Sequence, residues 1–163
     1  MSFKKQNVVT VEVATAEVGE VRIDPIHNHR ALYSRKEFKP EEVISEFTSR
    51  SIHHHPNYLT VQLSDDEHIE LFPDYLECIN HSCDPNCFFD TDKLQLVALK
   101  RIAEGEEMTF FYPSTEWDMD QAFRCHCGSL NCIEMIQGAK YLSKRAVKNY
   151  RFTTFIRYKL ASA

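Results

Sequence analysis

Short apolar runs alternate with polar turns along most of the chain, and few stretches show the 3.6-residue period of a helix. The pattern predicts nine short strands, at 8–13, 20–23, 31–33, 43–47, 58–63, 69–72, 88–89, 94–99 and 107–112. Residues 53–57 read as a loop, and residues 73–78 as a turn or short helix. Short strands separated by turn residues are typical of a mainly β fold.

The pattern changes after residue 112. Residues 113–142 hold a Pro-Ser-Thr turn, the one tryptophan and three closely spaced cysteines, and residues 143–163 carry six basic and no acidic residues among aromatic ones. We therefore divide the chain into 1–19, an N-terminal strand segment; 20–112, the β domain; 113–142; and 143–163, a basic aromatic tail. The tail is predicted to be helical or mixed and to lie on the body. An ordinary amphipathic terminal element is favoured over a dedicated patch for substrate or nucleic acid.

Composition narrows the class of protein. A chain of 163 residues with 4 glycines and 6 prolines fits one folded domain. The net charge of −5 argues against a general nucleic-acid binder, whereas an acidic cleft could attract a basic peptide. No apolar run fits a signal peptide or a membrane span. We expect an intracellular protein, cytoplasmic if bacterial and nuclear if eukaryotic, whose six cysteines are metal ligands or free thiols.

Three cysteines form a C-x-C-x4-C cluster at Cys125, Cys127 and Cys132. Structural zinc takes four ligands in a tetrahedron, so one ligand must come from elsewhere. The candidates are Cys78, Cys83, Cys87 and His126. Because catalytic zinc usually has His or carboxylate ligands and an open position, the cysteines favour a structural site.

Two further segments carry chemistry. Residues 80–87, Asn-His-Ser-Cys-Asp-Pro-Asn-Cys, are too polar for a core strand, and Asn80 and His81 could bind a polar ligand. Tyr112 ends an apolar aromatic strand and could orient an amine in a pocket or accept its proton. Taken separately, a loop with a satisfied histidine is an equally good interpretation of the first segment, and a packed core tyrosine is the favoured interpretation of the second.

Taken together and in order, the three segments resemble SET-domain protein lysine methyltransferases. Residues 80–86 resemble the N-H-S-C-x-P-N motif, residues 105–112 the G-E-E-L-T-[FY]-[DN]-Y motif, and residues 125–132 the post-SET zinc segment. The resemblance covers roughly residues 20–142. It implies several small β-sheets with a knot-like C-terminal crossing, and transfer of a methyl group from S-adenosylmethionine to a lysine amine of a protein or peptide.

The resemblance also implies roles for particular residues. Asn80, His81 and Tyr112 would contact S-adenosylmethionine, with Arg30 and Ala31 at the position of a cofactor-binding G-x-G motif. Tyr112 and Tyr58 would be the catalytic tyrosines, and Phe110 and Phe111 would line the substrate channel. Phe110 stands where the family has Phe or Tyr, and Phe favours di- or trimethylation. Cys83 would join Cys125, Cys127 and Cys132 around Zn²⁺.

Two departures leave alternatives open. His29-Arg30-Ala31 lacks both glycines of the G-x-G motif, so added Cβ atoms could crowd the cofactor, and Phe111 replaces the usual Asp or Asn. A catalytically inactive SET-like binding module is therefore one alternative. A small zinc-stabilised interaction protein is the other.

Overall fold

The computed structural model describes residues 11–163 and shows four small β-sheets with short helices. The first sheet is an antiparallel meander of β1 (Val11–Thr15), β2 (Gly19–Asp24) and β3 (His29–Ser34). A second sheet consists of β5 (Thr48–His53), β7 (His68–Phe72) and β6 (Thr60–Gln62), in that order. The predicted mainly β fold is confirmed. The part of the predicted first strand before Val11 lies outside the described residues.

The largest sheet brings the polar motif and the aromatic strand together. Its order is β4 (Val43–Glu46), β10 (Gln95–Ala98), β9 (Cys87–Asp90), β11 (Thr109–Phe110) and β8 (Asn80–His81). The pairs of β11 with β8 and with β9 are parallel, and the other pairs are antiparallel. A small fourth sheet pairs β12 (Phe123–Arg124) with β13 (Met135–Ile136).

One apolar core joins the three larger sheets. Its largest fully buried side chains include Phe38, Phe47, Phe89, Leu71 and Ile102. These side chains come from strands and from the turns between them, so burial of apolar surface holds the small sheets against each other.

Several elements differ from the sequence-based prediction, and the two-residue strands β8, β12 and β13 were not predicted. Strand β5 was not predicted, because its residues Thr-Ser-Arg-Ser-Ile-His are mostly polar and exposed and show no apolar alternation. The predicted loop therefore begins inside this strand, at His53. The predicted strand at 107–112 is shorter, since Tyr112–Ser114 forms a 3-10 helix that contains Pro113, which has no N–H to donate to a sheet.

The C-terminal tail packs on the body, as predicted. It contains α1 (Lys144–Val147) and α2 (Thr154–Ser162), and the Ser143 and Thr153 side chains cap their N-termini by accepting backbone hydrogen bonds. Phe152 and Ile156 are buried in a second apolar cluster with Phe111. None of the helices in the described part of the chain is long and apolar enough to cross a membrane.

Candidate functional site

Strand β8 holds Asn80 and His81 beside β11. Thr109 lies opposite Asn80 and Phe110 opposite His81 in the parallel register. The backbone N–H of Ser82 donates to the Phe110 carbonyl at 3.0 Å and extends the pairing by one residue. The two motifs, about thirty residues apart in sequence, are therefore fixed side by side, and Tyr112 follows directly.

The Asn80 side chain links three parts of the fold. Its Nδ2 donates to the Arg30 carbonyl at 2.8 Å and to Glu107 Oε1 at 3.2 Å. Arg30 belongs to the His29-Arg30-Ala31 segment at the start of β3. The amide oxygen of Asn80 has no protein partner among the described hydrogen bonds, so it can accept a hydrogen bond from a ligand.

His81 connects Tyr112 to the cysteine cluster. The backbone N–H of Tyr112 donates to His81 Nδ1 at 3.2 Å, and His81 Nε2 lies 3.3 Å from Cys83 Sγ. Burial lowers the pKa of His81 to about 4, so the imidazole is neutral at pH 7. Because Nδ1 accepts, Nε2 carries the hydrogen and points it at the Cys83 sulfur.

Tyr112 is enclosed by aromatic rings. Its ring centroid lies 4.7 Å from that of Phe110, 5.3 Å from His81 and 5.9 Å from Phe123. Burial raises the pKa of Tyr112 to about 12. The hydroxyl is therefore protonated at pH 7 and acts as a hydrogen-bond donor, lying 3.5 Å from the Ile79 carbonyl.

Two cavities meet at Tyr112. One of 570 Å³ is bordered by the polar motif and the cysteine segment, and its walls include His29, Asn80, His81 and Glu107. This volume falls in the range of small-molecule sites, about 300–1,000 Å³. The other cavity measures 190 Å³ and is mostly apolar, with Tyr58, Val61, Leu71, Ile79 and Phe110 among its walls. Tyr112 and Phe123 line both.

Four cysteine sulfurs form one cluster beside the larger cavity. The Sγ atoms of Cys83, Cys125, Cys127 and Cys132 all lie within 4.8 Å of one another, and Cys83 and Cys125 are 4.0 Å apart. Tetrahedral zinc with Zn–S bonds of 2.3 Å requires sulfurs about 3.8 Å apart. The four thiols therefore fit a Zn²⁺ ion after a small contraction. Of the four candidates for the last ligand, Cys83 is the one that the structure places with the others.

Burial and hydrogen bonds set the pKa values of these thiols. Burial raises the pKa of Cys83, and it raises the pKa of Cys125 to about 11. At Cys127 burial also tends to raise the pKa. Hydrogen bonds from the Cys83 and Ser129 backbone outweigh this effect and lower the pKa to about 7. Since a bound cation deprotonates coordinating thiols outright, a metal ion removes the cost of ionising this set.

Three of the predicted site residues, Phe111, Arg30 and Ala31, do not line the cavity to which the sequence analysis would assign them. Phe111 does not line the 190 Å³ cavity: it is 2% exposed and stacks on Tyr150, with ring centroids 3.6 Å apart. Side chains alternate along an extended segment, so Phe111 faces away from the cavity that Phe110 and Tyr112 line. Arg30 and Ala31 do not line the 570 Å³ cavity, and their neighbour His29 does.

Tyr58 lies at the mouth of the smaller cavity. It lines the wall, and 71% of its surface is exposed. Its exposure places it at the rim of the cavity rather than in the interior beside Tyr112.

The segment between Trp117 and Cys125 supplies residues that the sequence analysis did not single out. Met119, Asp120, Gln121, Ala122 and Phe123 border the smaller cavity. Their one sequence signal is proximity to the C-x-C pair, which places Phe123 two residues before Cys125. Glu107 was also missed, because its charge on a predicted strand gave no indication of the pocket.

Comparison with known proteins gives consistent matches. The SET domain family model matches residues 29–113, just over half of the chain. The chain is 40% identical over 106 residues to "Methyltransferase flvH" of Aspergillus flavus, covering 64% of this chain and 59% of that protein. It is 42% identical over 60 residues to "Histone-lysine N-methyltransferase 2D" of Homo sapiens, covering 33% of this chain and 1% of that protein.

A third relative is named for its substrate. "Histone-lysine N-methyltransferase, H3 lysine-36 specific" of Chaetomium globosum is 40% identical over 75 residues, which cover 42% of this chain and 8% of that protein. The matched regions thus span less than two thirds of each of these relatives. The family model, the parallel pairing of the two motifs and the cysteine cluster agree with one another, and this chain belongs to the SET domain family.

Proposed function

We propose that this chain is a protein-lysine N-methyltransferase that transfers a methyl group from S-adenosylmethionine to a lysine side-chain amine. The observation that carries the proposal is the meeting of the two cavities at Tyr112. A polar cavity of cofactor size and a narrow apolar cavity share one wall, so a donor in the first and an amine in the second come together at that wall. The relatives' names, methyltransferase and histone-lysine N-methyltransferase, support the reaction class.

The cofactor supplies an electrophilic methyl group on a positively charged sulfur. We assign its binding to Asn80, His81 and Tyr112, with His29 and Glu107 as further wall residues. The free amide oxygen of Asn80 accepts a hydrogen bond, and the Glu107 carboxylate pairs with hydroxyl or ammonium groups. The segment His29-Arg30-Ala31 contributes to this site through the Arg30 carbonyl, which holds Asn80 in place.

The smaller cavity prepares the amine for attack. A lysine amine has an unperturbed pKa of about 10.4 and must lose its proton before it can attack. Apolar walls that include Leu71, Ile79 and Phe110 disfavour the ammonium form by desolvation. Tyr58 guides the side chain at the entrance, and the Tyr112 hydroxyl orients the amine for in-line attack. Positioning of this kind accounts for much of the rate in such a transfer.

The four cysteines would hold a structural Zn²⁺. Coordination by Cys125 would hold Phe123, which lies two residues away and lines both cavities. Coordination by Cys83 would hold His81 and, through it, the backbone of Tyr112. We accordingly propose that residues 20–112 form the catalytic domain and that residues 113–142 form a zinc segment completing it.

The substrate is proposed to be a protein or peptide with an accessible lysine, and histones are the first proteins to test because the relatives are named for them. This substrate class would place the protein inside the cell, in the nucleus if the source is eukaryotic. Direct binding of nucleic acid is not part of the proposal, since the chain carries a net charge of −5.

Calorimetric titration of the zinc-loaded protein with S-adenosylmethionine tests the first half of the proposal. We expect saturable binding at micromolar affinity, about −8 kcal/mol. The Tyr112→Phe variant should bind similarly, because its hydroxyl serves the amine. Absence of binding at millimolar cofactor would contradict the proposal and favour an inactive SET-like module that uses its zinc segment and tail to contact a partner.

A further inference from the structure

One acidic side chain in the wall of the smaller cavity makes no hydrogen bond of normal geometry with the described residues. Glu116 is 7% exposed and lines this cavity. The backbone N–H of Gln62 lies near its carboxyl group but donates to the Thr115 carbonyl at 3.2 Å, which leaves Oε1 and Oε2 unpaired. A buried polar group without a partner is costly to the fold, and in native proteins such groups mark places where a ligand completes the pairing.

Glu116 differs from the other carboxylates of this cavity. Glu77 is paired with Arg50 at 2.9 Å, and Asp120 is exposed to solvent. Among the described residues that line the cavity there is no Lys, Arg or His. Of the three acidic side chains that line the cavity, only Glu116 is both buried and without an ion-pair partner among the described residues.

The position of Glu116 is fixed by backbone contacts that do not involve its carboxyl group. Its carbonyl accepts from the Ala139 N–H at 2.8 Å, and the next residue, Trp117, donates its N–H to Gln62 Oε1 at 3.0 Å. Gly138 allows this contact, because at φ 122° its Cα lies so close to Trp117 that a Cβ would come within 2.5 Å of the Trp117 carbonyl oxygen. The segment is thus held in place without help from the acid.

We propose that Glu116 is a substrate-positioning residue whose carboxylate binds a cationic nitrogen of the substrate in the 190 Å³ cavity. The inference rests on the proposed function. The cationic nitrogen has two possible sources on a peptide: the ammonium group of the target lysine on entry, or the side chain of a basic residue beside it. Both supply N–H donors with a positive charge, which favours the ionised form of a buried carboxyl group and pairs with it strongly.

A purely structural role predicts a different phenotype. If Glu116 stabilised the fold through its carboxyl group, the group would have protein partners, and its replacement would lower the unfolding temperature. Because it has none, the neutral and nearly isosteric Glu116→Gln variant should unfold at the same temperature as the wild type or higher. Such a trade of stability for binding is common at functional sites.

The experiment measures methyl transfer by the zinc-loaded chain to two synthetic peptides. One peptide places the lysine among alanines, and the other places an arginine on each side of it. Wild type, Glu116→Gln and the control Glu104→Gln are compared for kcat, KM and unfolding temperature. Glu104 is an exposed carboxylate in a turn, so its variant removes the same charge outside the cavity.

We expect Glu116→Gln to raise KM by about tenfold or more with little change in unfolding temperature, and Glu104→Gln to leave KM unchanged. A rise in KM for both peptides identifies the ammonium group of the target lysine as the partner of Glu116. A rise in KM confined to the arginine peptide identifies the neighbouring basic side chain as the partner. Unchanged KM and kcat for both peptides in Glu116→Gln would overturn the inference. So would a loss of activity that follows a lowered unfolding temperature. If the wild type transfers no methyl group, the proposed function itself fails.

Discussion

The backbone N–H of Tyr112 donates a hydrogen bond to Nδ1 of His81, and the opposite ring nitrogen of His81 faces the Cys83 sulfur at 3.3 Å. One imidazole thus spans the distance between the proposed catalytic tyrosine and the cysteine cluster. The position of Tyr112 therefore depends on the state of the four thiols, which explains why a metal segment and a catalytic segment belong to one site.

Removal of the metal should impair both stability and activity. We expect the purified protein to contain about one zinc ion per chain, and chelation or Cys83→Ser to lower the unfolding temperature on the order of 10 °C. Zinc content, thermal unfolding and methyl transfer are measured together. Cys78→Ser is the matched control, because Cys78 is a buried thiol outside the cluster and its variant should keep the zinc. Full activity of a metal-free protein would contradict the proposed link.

The aromatic tail should contribute to the stability of the body. Phe111 stacks on Tyr150, and the Tyr150 hydroxyl donates to the Cys83 carbonyl at 2.9 Å. Phe111→Ala should reduce the free energy of unfolding by about 3–5 kcal/mol, as for other buried phenylalanines. Tyr150→Phe should cost about 1 kcal/mol through the lost hydrogen bond. Denaturant unfolding measures the loss of stability in each variant. A negligible loss in both variants would show that the tail does not pack as described.

The number of methyl groups transferred should depend on Phe110. Its ring lies 4.7 Å from Tyr112 and lines the smaller cavity. Phe110→Tyr adds a hydroxyl group, which reduces the room for a methylated amine and adds a hydrogen-bonding group. Mass spectrometry of a methylated peptide should show di- or trimethyllysine for the wild type and mainly monomethyllysine for the variant. The same product distribution for both proteins would contradict this role.

The stability cost of Glu116 should increase with pH. Burial raises the pKa of this carboxyl group well above its ordinary value of about 4.3. Above pH 4.3 the unfolded chain releases the proton that the folded chain retains, so the folded state is increasingly disfavoured as pH rises towards the raised pKa. The stability advantage of Glu116→Gln over the wild type should therefore be larger at pH 8 than at pH 5.

Other charges near Glu116 do not account for such a difference. The cavity also contains Tyr58, Glu77, Tyr112 and Asp120, all of which both proteins retain. Two lysines that contact the neighbouring residue Trp117, Lys140 and Lys159, are paired with Asp118 and Asp65. Denaturant unfolding of the two proteins across this pH range gives the comparison, and a constant difference would show that Glu116 titrates as an exposed acid.

The sequence predicted the motifs well but not every direction in which a side chain points. Asn80, His81, Tyr112 and the cysteines are recognisable because rare residue types stand at fixed spacings. Phe111 could not be separated from Phe110 in this way, since both are aromatic, and the face that each presents depends on how the strand ends at the Tyr112–Ser114 helix. Its stacking on Tyr150 is a contact between residues 39 positions apart, which no local pattern reveals.

Two other features lay beyond local patterns for different reasons. Strand β5 forms through pairing with β7, although its own sequence is polar. The unpaired state of Glu116 becomes visible only when every neighbouring group is in place. Local propensity predicts many helices and strands. Tertiary contacts decide whether a polar segment such as β5 forms an edge strand and whether a buried acid such as Glu116 finds a partner.

In the proposed reaction, a methyl group passes from one cavity to the other at Tyr112. The most direct measurement is transfer of tritium-labelled methyl from S-adenosylmethionine to histone proteins and lysine peptides by the zinc-loaded chain. Tyr112→Phe is compared with Tyr158→Phe, which alters an exposed tyrosine of α2. We expect incorporation at lysine that falls by about 100-fold or more in Tyr112→Phe, with cofactor binding preserved, and is unchanged in Tyr158→Phe. Incorporation that is indifferent to Tyr112, or absent from every lysine substrate despite bound cofactor, would contradict the proposed reaction.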